Sequence, residues 1–340
     1  MSDNYEDSKF FITRHSIKPK GEDVESEQYK GLSRKGVELA RSSARNILDD
    51  IENSPDNTVV FLGGVSDEVR TRSTMQLYGE ELKKALAGRN DYVVITREDV
   101  GAGEGLLRKI RAICDANPHK KIIVDAPVYL EELSLRKKGS LTKEGKPTPY
   151  LAKLLEMHGN NESEALRDYI RNNGEMDGLK GPNPEFIARS YQVGVERLEK
   201  FARKVIGNRP LVTGIVGHSF ETDMYLAYVA GGGKVDLPSF EKISSGQGMI
   251  KETEKATFKM GHEFTEIDYR GRKTKVRPLE EMLRVGAIMG LIVPVILSFP
   301  RITGNTIGTA VSASISVYEW IGLMISIISL IGLLYLKDKD

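Results

Sequence analysis

The run Phe10-Phe11-Ile12-Thr13 is short and apolar, and it stops abruptly at Arg14-His15-Ser16. Such a run reads as a buried strand. In open α/β sheets the reacting groups sit just past the carboxyl ends of strands, where the backbone turns away and leaves a crevice. An imidazole there can act as a nucleophile near neutral pH, and an adjacent guanidinium can hold a phosphoryl oxygen in its planar fork.

The remainder of the chain repeats this grammar. Ser33 stands as N-cap before a helical pattern carried by Val37, Ala40, Ala44, Ile47, Leu48 and Ile51. After the turn Ser54-Pro55-Asp56-Asn57, the run 58–62 is apolar and β-branched enough for a central strand. Gly63-Gly64-Val65-Ser66-Asp67 breaks it, and a helix starting near Asp67 puts Arg70 in its first turn. Tyr92 to Thr96 is the next strand, Leu106 to Asn117 a helix, and Lys121 to Val124 another strand. The cluster Gly101-Ala102-Gly103-Glu104-Gly105 lacks the spacing that cradles a pyrophosphate. A long amphipathic helix from Pro184 to Val205 feeds the strand 211–216, which stops at Gly217-His218-Ser219, and helical spacing resumes from Thr222. Pieces around Met249 and Phe264 to Tyr269 read as late edge strands.

Between Arg136 and Pro184 the composition turns to Lys, Gly, Asn and Glu, with helical pieces near Tyr150 to Met157 and Glu162 to Asn172. A polar, glycine-punctuated excursion between core elements reads as a cap carried on the sheet edge. Its basic residues Arg136, Lys137, Lys138, Lys143 and Lys146 are positioned to face an anionic substrate or solvent.

The net charge of +1 gives no reason to expect nucleic acid as a partner. Cys114 is the only cysteine, which excludes an intramolecular disulfide and fits a reducing compartment. Residues 1–9 are polar and acidic, without the apolar core of a secretory signal, and read as a short disordered leader.

Taken in order, Arg14-His15, Leu32-Ser33-x-x-Gly36 before a helix, Ser66-Asp67-x-x-Arg70-Thr71-x-x-Thr74, and Gly217-His218 closing a strand resemble the histidine phosphatase (phosphoglycerate mutase-like) superfamily. The matches span residues 10 to about 230. The resemblance implies an α/β fold, a three-layer mostly parallel sheet flanked by helices, over residues 10–275, with 136–184 as an inserted cap. It also implies that His15 is the nucleophile that becomes phosphorylated, with Arg14, Arg70 and His218 around the phosphoryl group. The physics agrees, because two guanidiniums and an imidazolium supply fixed positive donors to the charge spread over three equatorial oxygens. No metal and no cofactor enters this scheme. His15 must be neutral at its attacking nitrogen, as a backbone carbonyl accepting from the other nitrogen would secure. His218 beside an anion is expected to favour its charged form.

Two departures stand out. The glycines that usually follow the family's histidines are Ser16 and Ser219 here, expected to alter substrate fit through added hydroxyls. The acid that protonates the leaving oxygen is open. Element order points to Glu98, local wording in Leu130-Glu131-Glu132-Leu133 points to Glu132, and Glu221 stands third. His119, His158 and His262 show no ligand spacing and read as surface residues.

From residue 276 the chemistry changes. Val285 to Phe299 is free of charge, and so is Trp320 to Leu336 within a second apolar stretch at 318–336. Each approaches the length that spans about 30 Å of hydrocarbon, so 276–340 reads as an anchor of two transmembrane helices. Lys273, Lys275, Arg277 and Arg284 before the first stretch and Lys337 and Lys339 after the second set the catalytic domain and both termini on the cytoplasmic side. The expectation is a membrane-anchored phosphatase acting on phosphomonoesters of small molecules or phosphoproteins. The alternatives are a phosphomutase of the same superfamily and a non-catalytic phosphate- or phosphoprotein-binding membrane module. Oligomeric state is not legible.

Overall fold

The structure is a computed structural model and describes residues 8–100, 105–260 and 264–276. The expected leader up to residue 7, His262, and the expected anchor from residue 277 onward lie outside the described residues. Among those described, no helix is long and apolar enough to cross a membrane.

Five parallel strands form the centre: β1 (Ser8–Arg14), β2 (Val59–Val65), β3 (Tyr92–Thr96), β4 (Lys121–Tyr129) and β7 (Leu211–Gly217). A two-residue hairpin, β5 (Glu175–Met176) with β6 (Leu179–Lys180), belongs to the cap. Antiparallel β8 (Lys255–Met260), β9 (Thr265–Tyr269) and β10 (Arg272–Val276) extend the sheet past β1, giving the order β10-β9-β8-β1-β7-β2-β4-β3.

The central strands are apolar on both faces because helices cover both. On one face Phe11, Val60, Leu62, Ile123 and Val212 pack with Val37, Ala40 and Ile47 of α1 (Arg34–Glu52) and Leu77 and Tyr78 of α2 (Val69–Ala85). On the other, Phe10, Ile12, Phe61, Ile122 and Ile215 meet the second helical layer. Its residues include Ile110 of α4 (Gly105–Ala116), Tyr191, Val195 and Leu198 of α7 (Pro184–Ile206) and Leu226 of α8 (Ser219–Ala230). Alternate residues of one strand thus enter opposite cores, as the two-residue pleat requires.

α1 begins where the sequence places it, with the Ser33 hydroxyl accepting from Gly36 N at 3.1 Å. Ser8 and Lys9, read with the leader, instead extend β1. The short helix α3 (Arg97–Val100) adjoins β3, and α9 (Leu237–Ser244) follows α8. Met249 is not in a strand. Its N–H bonds to Ser163 Oγ and its carbonyl to Arg270, so side chains replace a ladder there. β8, missed by the sequence reading, lies between β1 and β9 rather than at an edge.

The cap has a core of its own. Tyr150 and Leu154 of α5 (Pro149–Met157) and Leu166, Tyr169 and Ile170 of α6 (Glu162–Arg171) pack with Ile187, Met224 and Phe240. It is therefore fastened to α7, α8 and α9 by apolar burial, not merely draped over the sheet.

Candidate active site

Three adjacent strands end together. Arg14 pairs with Gly217, and Thr13 and Val65 both pair with Val216. The register of β2 shifts by one residue between Leu62 and Gly64, a bulge centred on Gly63 that lets β2 reach the level of β7. His15 follows β1, His218 follows β7 and Ser66 follows β2 at one rim of the sheet. His15 N donates to Gly217 O at 3.0 Å, and the two imidazoles stand edge to face with centroids 5.1 Å apart.

His15 Nδ1 lies 2.7 Å from Ser16 O. A carbonyl only accepts, so Nδ1 carries the proton and Nε2 keeps its lone pair. Arg70 Nε donates to that Nε2 at 3.0 Å. Burial, and then the Arg70 charge, push the His15 pKa down to about 3. The ring is a neutral base at physiological pH, with its nucleophilic nitrogen beside a guanidinium.

Gly31 supports Arg70 from outside. Its φ of +80° lies in the left-handed region, and a Cβ there would come within 2.9 Å of Arg70 N, so glycine lets the preceding loop close over the start of α2.

His218 Nε2 is 2.9 Å from Ser66 Oγ, which accepts from Glu68 N and contacts Thr71 Oγ1. Its Nδ1 is buried without a partner among the described residues. Burial first, and then the charges of His15, Arg70, Lys138 and Arg14, lower the His218 pKa well below its ordinary value. The ring is neutral, and only an anion bound against it would favour the imidazolium. His218 is also the N-cap residue of α8, so the first-turn N–H groups of that helix open at the same rim.

Arg14 is held from several sides. Its Nη1 donates to Ile250 O at 3.1 Å, and Nη2 meets Glu162 at 3.4 Å and Glu252 at 3.3 Å. Ile250 N in turn donates to the fully buried Asp223 carboxylate at 3.0 Å. Burial pushes the Asp223 pKa up to about 8. Glu68 ties Arg70 (3.5 Å) to Arg136 (2.7 Å), bringing a cap arginine to the rim.

The expected acids separate. Glu98 sits on α3 and lines a cavity along α2, which none of Arg14, His15, Arg70 or His218 lines. Glu132 is paired with Arg197 of α7 and packs toward Gly194. Glu221 is wholly buried and accepts from Lys138 Nζ at 2.7 Å. Burial raises the Glu221 pKa, while Lys138 and Arg70 pull against that rise. The Ser16 hydroxyl does not face a ligand, since it donates to Gly36 O at 2.6 Å while Ser16 N donates to Thr74 Oγ1. Ser219 opens α8, nearly enclosed.

Sequence reading missed the roles of Ser66, Lys18 and Lys138. Lys18 is exposed, and partial desolvation and then Arg70 lower its pKa. Its position three residues past His15 was the available signal. Nothing in the sequence signals that Lys138, one of five basic residues between 136 and 146, is the buried one. His158, expected on the surface, is hydrogen-bonded to Asp168 at 2.8 Å.

No protein-family model matches the chain, and no curated protein matches it. Solved structures of histidine phosphatase superfamily members are similar to it. A mycobacterial glucosyl-3-phosphoglycerate phosphatase is 12% identical, with 79% of this chain and 97% of that one covered at a TM-score of 0.40. The phosphoserine phosphatase of Entamoeba histolytica, solved with 3-phosphoglyceric acid, is also 12% identical, with 79% and 95% covered at 0.32. Likenesses at this level carry no functional weight, which falls on the geometry of the rim.

Proposed function

We propose that this chain is a phosphomonoesterase of the histidine phosphatase type. The observation that carries this reading is the contact of Arg70 Nε with the unprotonated Nε2 of a buried, neutral His15. A nucleophilic nitrogen has no structural need of a guanidinium beside it. A phosphoryl group arriving there needs both.

In the proposed reaction His15 Nε2 attacks phosphorus as the ester P–O bond breaks, and the leaving oxygen takes a proton from an acid. Arg70, Arg14, His218 and the first turn of α8 meet the equatorial oxygens. Water then attacks the phosphohistidine, the P–N bond breaks, the electron pair returns to Nε2, and the acid residue recovers its proton from that water. We assign the acid to Glu221, supported by its place in the first turn of the helix that His218 caps, its burial and its raised pKa. The comparison of Glu221→Gln with wild type on an aryl and an alkyl phosphate tests the assignment. Loss on the alkyl ester with the aryl ester spared is expected, and equal loss on both removes Glu221 from the role.

The membrane tether remains part of the proposal on the strength of the apolar stretches 285–299 and 318–336. Carbonate extraction of the full chain should leave it with the membrane fraction. Release into the supernatant would end this part of the reading.

A further inference from the structure

A cavity of about 680 Å³, lined by none of the rim side chains, lies along α2 beside Thr96 at the end of β3 and Asp125 within β4. Its size is that of a small-molecule site. Asp125, on β4, lines it and is hard to explain as a structural residue. It stands between the apolar runs 122–124 and 126–128 of its strand, and no described residue donates a hydrogen bond to its carboxylate, whose Oδ1 is shut off from solvent. Asp125 is partly buried, and a carboxylate oxygen closed to solvent without a donor is costly. Helix α2 accommodates it, because a Cβ at Gly79 would collide with the carboxylate.

The lining also carries positive charge. Lys30, Arg72, Lys83 and Arg97 line the cavity, are exposed, and form no ion pair among the described residues. Many other basic side chains of the domain are paired, including Arg14, Arg70, Arg89, Arg136 and Lys138. Glu80, also on the cavity, is satisfied by Tyr29 OH at 2.5 Å and Gln76 Nε2 at 2.9 Å. Glu98 also lines the cavity, but among the described residues no three acidic side chains come together in a group that could hold a metal ion. A simple anion would be repelled by Asp125. A molecule with an ammonium at one end and an anionic group at the other answers both features.

We infer that this cavity binds a small zwitterion, its ammonium on Asp125 and its anionic end on Arg72 and Lys83. The site is distinct from the His15 rim and does not depend on the phosphatase reading. Burial raises the Asp125 carboxyl to about 7, a position that a bound ammonium would reverse.

The test uses the full chain and 2-aminoethylphosphonate, whose C–P bond a phosphomonoesterase does not cleave, followed by titration calorimetry. Binding is expected in wild type and in His15→Ala alike, and in wild type with orthovanadate present. Ethylphosphonate, which lacks the ammonium, should bind at least tenfold more weakly, as should the probe to Asp125→Asn. The exposed pair Arg72→Met/Lys83→Met, which leaves the core untouched, should weaken the probe to the same degree. No binding by wild type overturns the inference. So does equal binding of the two phosphonates or equal binding by the variants, and binding lost with vanadate or in His15→Ala would assign the probe to the rim instead. Hydrolysis of aryl phosphate by the same sample, scored separately, reports on the phosphatase reading alone.

Discussion

Arg70 Nε and His15 Nε2 face each other at 3.0 Å, a hydrogen bond donated by a permanently charged group to the nitrogen proposed to attack phosphorus. The bond fixes the imidazole before substrate arrives and must be exchanged for phosphoryl oxygens when it does. Arg70→Ala should therefore lower kcat on an aryl phosphate by about 10²–10³-fold, the loss typical of one preorganised donor. Arg70→Lys should recover little of it, because an ammonium keeps the charge without the planar fork. Steady-state kinetics of both variants checks this.

Ser66 is the partner that holds His218 in place. Its replacement by alanine leaves Nε2 of a buried ring without a hydrogen bond, a cost of about 1–3 kcal/mol. A drop in kcat of about tenfold is expected, with a lower Tm. Ser66→Thr, which keeps the hydroxyl, should recover most of the activity.

Lys138 and Glu221 form an ion pair closed to solvent, joining the cap to α8. Removing one partner should cost about 3–5 kcal/mol, while replacing both with apolar residues of similar volume should cost much less. Denaturant unfolding of Lys138→Met, Glu221→Leu and the double variant measures the difference.

Much of this was legible in the sequence. The five parallel strands and α1 with its Ser33 cap follow from apolar runs and helical spacing, whereas the grouping of Arg14, His15, Arg70 and His218 rests on the family resemblance. What escaped was decided by tertiary contacts. Glu98 and Glu132 hold the positions that order and wording suggest, yet the first lines a cavity that no rim side chain lines and Arg197 engages the second. Met249 is apolar enough for a strand, but Ser163 and Arg270 satisfy its backbone from outside.

The neutral His15 has a consequence for stability. Between its ordinary pKa of 6.5 and its folded value of about 3, the unfolded chain binds a proton there that the folded chain refuses, so this residue destabilises the fold increasingly as pH falls through that window. Asp223 and Asp125, raised to about 8 and 7, act with the opposite sign, so the wild-type curve alone would blur the effect. The difference between His15→Ala and wild type isolates it. From pH 6.5 downward the variant should gain on wild type by up to about 1.4 kcal/mol per pH unit. Urea unfolding at several pH values reads that slope, and a difference independent of pH would mean that His15 titrates normally.

The most direct test of the central claim is the phosphoenzyme itself. The full chain is mixed with a phosphomonoester, quenched in base within one turnover, and mapped by mass spectrometry and ³¹P NMR. A base-stable, acid-labile phosphoramidate on His15, absent from His15→Ala and discharged by water on longer incubation, is the predicted result. Turnover of the ester with no phosphate on His15, or with activity intact in His15→Ala, would contradict it.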